Sequence, residues 1–220
     1  YGVPFISGKD SFYNEFSVRG ISTPIPGTLL ISAISVMEDV NKSISMYAKC
    51  AGNLIYIVGN TRDELGGSHY YDLHQALGNQ LPKVYPQEAK GSFAALSKAA
   101  EKGLVESMHD CSDGGLAVAL AEMAFSGGLG MEIFLSEVPY QSQKKRDESV
   151  LFSESNSRFV VEVAKTKQKE FEKLLTGVSF GLAGCLTKNP DFKIFNLAGK
   201  ICVDANINKL KEAWQGPLRW

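Results

Sequence analysis

Neither sign of charge dominates this sequence: 23 lysines and arginines stand against 24 aspartates and glutamates in 220 residues. That balance argues against nucleic acid as the main partner. No apolar run reaches bilayer-spanning length, so no membrane partner is expected. Cysteine is sparse, and Cys50, Cys111, Cys185 and Cys202 form no C-x-x-C pair. Scattered thiols of this kind suit a reducing, cytoplasmic location rather than a disulfide framework. Histidine is scarcer still, with three residues and none beside a cysteine pair, which argues against a zinc site. Internal repeats and low-complexity segments are lacking. So are a signal peptide and an initiator Met, and a chain that starts at Tyr1 reads as a fragment or a processed product.

What is present is enough apolar residue, 44%, to build a core. The most informative stretch is Ser107 to Gly130, SMHDCSDGGLAVALAEMAFSGGLG. A short segment ends in His109 and Asp110, a polar Gly-rich turn follows, and a run of helix formers extends from Leu116 to Phe125. Strand, Gly-rich turn and helix together aim free backbone N–H groups at an anion. Ser112 and Asp113 are natural N-cap residues, and the helix has so little polar surface that it should be buried nearly all round. Two readings stand side by side. In one this is a well-capped central helix. In the other it is a nucleotide or phosphate site, where Asp110 and Asp113 help to hold magnesium, an ion that prefers carboxylate and phosphate oxygens.

Residues 1–27 read as loop, with Ser7-Gly8-Lys9-Asp10-Ser11 as the segment best equipped for a ligand or, more plainly, a solvated turn. Thr28 to Met37, TLLISAISVM, predicts a buried strand, and Leu54 to Val58, LIYIV, a second one. A helix is expected within Thr61–Asn79; His69 and His74 read there as surface or packing residues. Gln87 to Lys102 is helical by spacing and ends at Gly103. Met131 to Leu135 reads as a strand and 136–150 as a polar loop. Leu151 to Arg158, LFSESNSR, puts a polar cluster just before the apolar strand Phe159 to Val163 and reads as a ligand-facing edge or a hydrogen-bonded turn. A helix over Lys165–Leu175, strands over 178–186, 192–197 and 200–203, a hairpin turn at Asn196–Lys200 and a final helix over Asn206–Trp214 complete the chain. Helices alternate with strands, yet the last strands are adjacent, which predicts an α+β domain with a mixed sheet. Residues 1–40 fall outside that alternation and read as the tail of a preceding domain, with 41–220 as the main one.

Three segments carry a resemblance: SGKDSFYNE (Ser7 to Glu15), HDCSDGGLAVALAE (His109 to Glu122) and LFSESNSRF (Leu151 to Phe159). Together with TPIPGTLLISAISVMEDV and ELGGSHY they resemble the second half of the phosphoribosylformylglycinamidine synthase family. These are the formylglycinamide ribonucleotide amidotransferases of purine biosynthesis, in the aminoimidazole ribonucleotide synthase-like superfamily. The resemblance covers nearly the whole chain, and H-D-x-S-x-G-G-L-A-x-A-L-A-E is far more specific than a lone Gly-rich turn.

That resemblance implies the three-layer α/β/α C-terminal domain of the superfamily, preceded by the end of an N-terminal ATP-binding domain. It implies an ATP- and Mg2+-dependent ligase. Ammonia from a glutaminase subunit or domain attacks a phosphorylation-activated amide carbon of formylglycinamide ribonucleotide. In the family's SG-x-x-S loop the Gly and the next residue serve nucleotide and metal and the Ser contacts substrate, positions that fall on Gly8, Lys9 and Ser11. A charged Lys9 cannot ligate magnesium, so either Asp10 takes that role or Lys9 contacts phosphate. Asp110, Asp113 and Glu154 are the implied metal set, in a pseudo-symmetric site that holds a structural nucleotide in large members. The family's catalytic histidines lie in the other half, so no catalytic residue and no turnover are expected of this chain alone. Its partners would be the remaining half of the synthetase and the glutaminase, and the apolar Thr28–Met37 run predicts a dimer. Non-catalytic nucleotide binding, or another ATPase of the superfamily such as a hydrogenase-maturation type, are the alternatives.

Overall fold

The computed structural model describes residues 1–10 and 14–219. It divides into two compact units, Tyr1–Asn41 and Lys42–Trp220.

Among its described residues, the first unit contains one hairpin. Strand β1 (Glu15–Val18) pairs antiparallel with β2 (Ile21–Pro24), Val18 lying opposite Ile21. Arg19 and Gly20 form the turn with φ of 51° and 80°, the positive values a two-residue hairpin turn needs to match strand twist. The loop expected over 1–27 therefore contains a hairpin, whose sequence signal was Arg-Gly between two β-branched residues. A second correction concerns Thr28–Met37, which forms no strand. Its side chains stand in solvent, Leu30 at 88% exposure. An apolar, β-branched run becomes a strand only against a ladder and a face to bury, and no described strand pairs with it.

The second unit runs β3 (Leu54–Val58), α1 (His69–Leu73), α2 (Pro86–Glu101), β4 (Ser107–Asp110), α3 (Gly115–Gly127), β5 (Gly130–Phe134), α4 (Asp147–Phe152), β6 (Phe159–Val163), α5 (Gln168–Leu174), β7 (Phe180–Thr187), β8 (Asp191–Phe195), β9 (Ile201–Asn206) and α6 (Ile207–Gln215). Seven strands form one sheet in the order β4-β6-β3-β7-β5-β8-β9. Its pairs are antiparallel except β5 with β8. The mixed sheet and the α+β class match the sequence expectation. The helix expected within 61–79 is only the five residues of α1, because the glycines at 66, 67 and 78 interrupt the pattern. Helix α4 lies partly in the stretch read as polar loop, its acidic first turn hiding the apolar Val150, Leu151 and Phe152 that follow.

Strand β3 shows why the sheet is central. Ile55 and Ile57 face a core filled by Leu116, Leu120 and Met123 of α3, Val150 and Leu151 of α4 and Ile207 of α6. Leu54, Tyr56 and Val58 face the other core, with Leu96 and Ala99 of α2 and Phe171 of α5. Both faces are covered by helices, so the strand is apolar at every position rather than at alternate ones. Burial, and then a hydrogen bond to Glu172, push the Tyr56 phenol well above its usual pKa.

One carboxylate fastens an edge of this framework. Glu162 of β6 is fully buried, and accepts from the Lys49 N–H at 2.8 Å, the Cys50 N–H at 3.0 Å, the Asn53 amide at 2.7 Å and the Ser107 hydroxyl at 2.6 Å. A charge without solvent is tolerated only with such partners, and here they tie residues 49–53 and β4 to β6.

Candidate functional site

The Gly-rich turn at α3 is built by backbone conformation. Gly114 and Gly115 have φ of 77° and 69°, a region costly for other residues. A Cβ at Gly115 would meet the Ser153 carbonyl oxygen at 2.6 Å, so this glycine lets α3 begin hard against the segment that follows α4. The N-cap is Gly114, without a side-chain cap bond. That corrects the expectation that Ser112 or Asp113 caps the helix. The helix itself is buried nearly all round, as expected, with no exposed residue between Gly115 and Phe125.

Glu154 does the work of the missing cap. Its Oε1 accepts from the Gly114 N–H at 2.9 Å and from the His69 N–H at 3.1 Å. One carboxylate thus joins the start of α3 to the start of α1. Asp113 and His69, both exposed, converge on it, and one ligand atom from each of His69, Asp113 and Glu154 lies within 4.8 Å of the others. Asp110 is not in this group. Its carboxylate accepts from the Ser112 hydroxyl and stands 3.3 Å from His109 Nδ1. The Ser112 hydrogen bond, foremost, holds its pKa below the usual carboxylate value. The other ring nitrogen of His109 is 2.8 Å from Glu122 of α3, so His109 bridges β4 and α3 between two acids. The sequence therefore brought Asp113 and Glu154 to one place and missed His69, whose only signal was its position two residues after the Gly66-Gly67 pair.

The loop that presents Glu154 is fixed from beneath by Arg158, which is wholly buried. Its Nη1 donates to Thr61 Oγ1 at 2.9 Å, its Nε to the Ser155 carbonyl at 3.0 Å and its Nη2 to the Ser153 carbonyl. Burial lowers its pKa, while nearby Cys111, Glu64 and Glu154 act to raise it. Ser153 and Ser155 donate nothing to solvent: they receive N–H groups of Glu64 at 3.2 Å and Arg62 at 3.0 Å. Ser-Glu-Ser is therefore an alternation in which the serines knit the loop to residues 61–64 and the glutamate points to the α3 turn. Cys111, in the middle of the motif, is buried, and desolvation pushes its thiol up to about 11, which makes it a packing residue rather than a nucleophile.

Gly8 and Lys9 lie in the first unit, both exposed, beside a cleft lined by Ile6, Asn14 and Leu29 among others. A Cβ at Gly8 would meet nothing within 4 Å, and Lys9 Nζ donates to the Asp10 carbonyl at 3.3 Å. Ser11 lies outside the described residues.

Residues 51–194 match the family described as AIR synthase related protein, C-terminal domain. The phosphoribosylformylglycinamidine synthase subunit PurL of Methanocaldococcus jannaschii is 34% identical over 188 residues, covering 84% of this chain and 25% of that protein. The Thermoplasma acidophilum subunit of the same name is 33% identical, covering 99% and 27%. The chain thus spans about a quarter of the length of these relatives. Among solved structures, Thermotoga maritima PurL complexed with FGAR superposes with a TM-score of 0.71 at 20% identity, covering 78% of this chain and 30% of that one. The hydrogenase maturation protein HypE in complex with ATP gives 0.54 at 14% identity, covering 76% and 54%. Both structures share the fold. The family match takes in β3 through β8 and both segments that build the α3 turn, and on it the chain belongs to the AIR synthase related family, of which it carries the C-terminal domain.

Proposed function

We propose that this chain serves in a phosphoribosylformylglycinamidine synthase, the ligase that makes formylglycinamidine ribonucleotide from formylglycinamide ribonucleotide with ATP and with ammonia taken from glutamine. The observation that carries the reading is the α3 turn: a helix N-terminus with Asp113 and Glu154 facing one another at its entrance. It is reinforced by the 33–34% identity to PurL subunits over most of the chain. Neighbours of the same fold have been solved with ATP, with ADP and with FGAR, and one in an assembly named PurLQS. On this reading the partners are the remainder of the synthetase and a glutaminase that supplies ammonia.

Magnesium fits the residues present. Glu154 spends Oε1 on two backbone amides and keeps Oε2, while Asp113 is exposed and close. Two carboxylates at this spacing repel unless a cation lies between them, and magnesium needs only one or two protein carboxylates because it keeps waters and takes phosphate oxygens. When bound, the ion would neutralise the phosphates of a nucleotide. Asp113 and Glu154 would hold it, the α3 amides would face the phosphates, and Asp110 would keep His109 and Ser112 in place behind the turn. Gly8 and Lys9, with Ser11, are proposed to serve nucleotide and substrate from the first unit, which is proposed to be the end of an N-terminal ATP-binding domain. On this reading the catalytic histidines lie in the other half of the synthetase, so the α3 turn binds and does not turn over.

The test is reconstitution. The chain alone should form no formylglycinamidine ribonucleotide from substrate, MgATP and ammonium. With the remainder of the synthetase added as a separate chain, product should appear. Turnover by the chain alone would contradict the binding-only role, and no product from the combined halves would contradict the ligase assignment.

A further inference from the structure

The loop that carries Glu154 also presents Asn156 and Ser157, and these two line a different cavity. It has a volume of about 340 Å³ and lies where β3 ends at Gly59-Asn60, where α2 begins, and where residues 177–179 lead into β7. It shares no lining residue with the His69–Asp113–Glu154 group.

Its polar groups are partly paired with one another and leave several donors over. Helix α2 is 16 residues long and starts at Pro86 without a side-chain cap. Among the described residues the N–H groups of Gln87 and Glu88 meet no acceptor. One turn further, Ser92 is 4% exposed, lines the cavity, and its hydroxyl has no hydrogen-bond partner among the described residues. A serine inside a helix ordinarily bonds back to the preceding turn; here the hydroxyl is left open to the cavity it lines. Arg62 is the charged wall, 9% exposed. Its Nη2 serves Glu88, at 2.8 and 2.9 Å, and Gln141, leaving Nε and Nη1 uncommitted among the described residues. Tyr85 holds the guanidinium flat, its ring centre 3.7 Å from Cζ. Asn60 is oriented by the Ser179 hydroxyl at 2.7 Å and donates to Glu88 at 2.8 Å.

A long helix start and a buried arginine with spare donors select an anion. The cavity is too large for a bare anion and falls in the range of small-molecule sites. Its remaining wall of Asn156, Ser157 and Ser179 offers the amide and hydroxyl groups that pair with sugar-like hydroxyls. Glu88 is the built-in opponent: its carboxylate lies on the arginine an incoming anion would use. We propose that this cavity binds a phosphate ester of a small polyol, the phosphate on the α2 amides, Ser92 and Arg62, and the hydroxyls on the 156–157 side.

Ribose 5-phosphate is the probe, titrated calorimetrically into the chain in the presence of a chelator, so that the Asp113–Glu154 group contributes nothing. Saturable binding is expected, weaker for inorganic phosphate and lost for ribose. Ser92→Ala, which suits a helix and keeps the melting temperature, should weaken binding roughly tenfold. Glu88→Gln should tighten it, and Asp113→Asn should leave it unchanged. The inference is overturned if ribose 5-phosphate fails to bind both the unaltered chain and Glu88→Gln. It is also overturned if Ser92→Ala and Glu88→Gln bind as the unaltered chain does, if inorganic phosphate binds equally well, or if Asp113→Asn abolishes binding.

Discussion

Two runs rich in Leu, Ile and Val in this chain have opposite fates. Leu54–Val58 is the strand β3, buried at every position between two helical layers. Thr28–Met37 carries Leu29, Leu30, Ile31, Ile34 and Val36 at high exposure and forms no strand. The difference lies outside the runs. Strand β3 has β6 on one side, β7 on the other, and α2 and α3 over its faces. Strand propensity is a statement about neighbours as much as about residues.

Core substitution should separate the two runs by the widest margin. Ile57→Ala, which empties space at 0% exposure, should cost about 2–5 kcal/mol. Ile31→Ala, in the exposed run, should stay within about 0.5 kcal/mol. Urea unfolding of both variants checks this, and equal losses would erase the comparison. The next effect concerns backbone. Gly115→Ala must hold φ near 69° with a Cβ 2.6 Å from the Ser153 carbonyl, and should lose about 1–3 kcal/mol in the same assay. Gly128→Ala has a φ of the same size and open space, and should lose less.

Association sharpens the contrast from the other side. An exposed apolar run seeks a partner chain, so the protein should run as a dimer or larger species in light scattering. Replacing Leu30 and Ile34 by lysine should shift it toward monomer without lowering the melting temperature. A monomer at high concentration in the unaltered chain would count against this.

The smallest effect is a pH dependence. Hydrogen bonds from Arg62, then from Asn60, hold the Glu88 carboxyl below its usual pKa. A depressed carboxyl stabilises the fold fully above its unfolded value, and that contribution fades as pH falls through the folded value. Glu88→Gln should therefore lower stability slightly at neutral pH, where that contribution is removed, and the two proteins should converge as pH falls below the usual carboxylate range, which flattens that part of the acid limb.

The same contrast explains what could be read from residues alone. Strands β3 and β6, the long helices and the terminal hairpin at Asn196–Lys200 were legible because local pattern and tertiary context agree there. The mixed sheet followed from adjacent strands near the end of the chain. The hairpin of β1 and β2 was hidden because four-residue strands show too little period, and α4 because its first turn is charged. At the candidate site, Asp113 and Glu154 were legible through motif and resemblance, although 41 residues separate them. His69 was not, since a histidine after two glycines carries no mark of its neighbours in space. Nor was the role of Arg158: a charge at the head of an apolar strand reads as solvent-facing until Thr61 and two carbonyls surround it.

Whether the α3 turn holds magnesium and the phosphates of a nucleotide is decided by calorimetry of MgADP binding to the chain joined by its proposed remainder. Binding should require magnesium. Asp113→Asn should weaken it by roughly tenfold or more, and Asp110→Asn, whose carboxylate is turned to Ser112 and His109, should weaken it less. The melting temperature without ligand should be nearly unchanged in both. Binding that is indifferent to magnesium and to Asp113, or no nucleotide binding at all, would contradict the account.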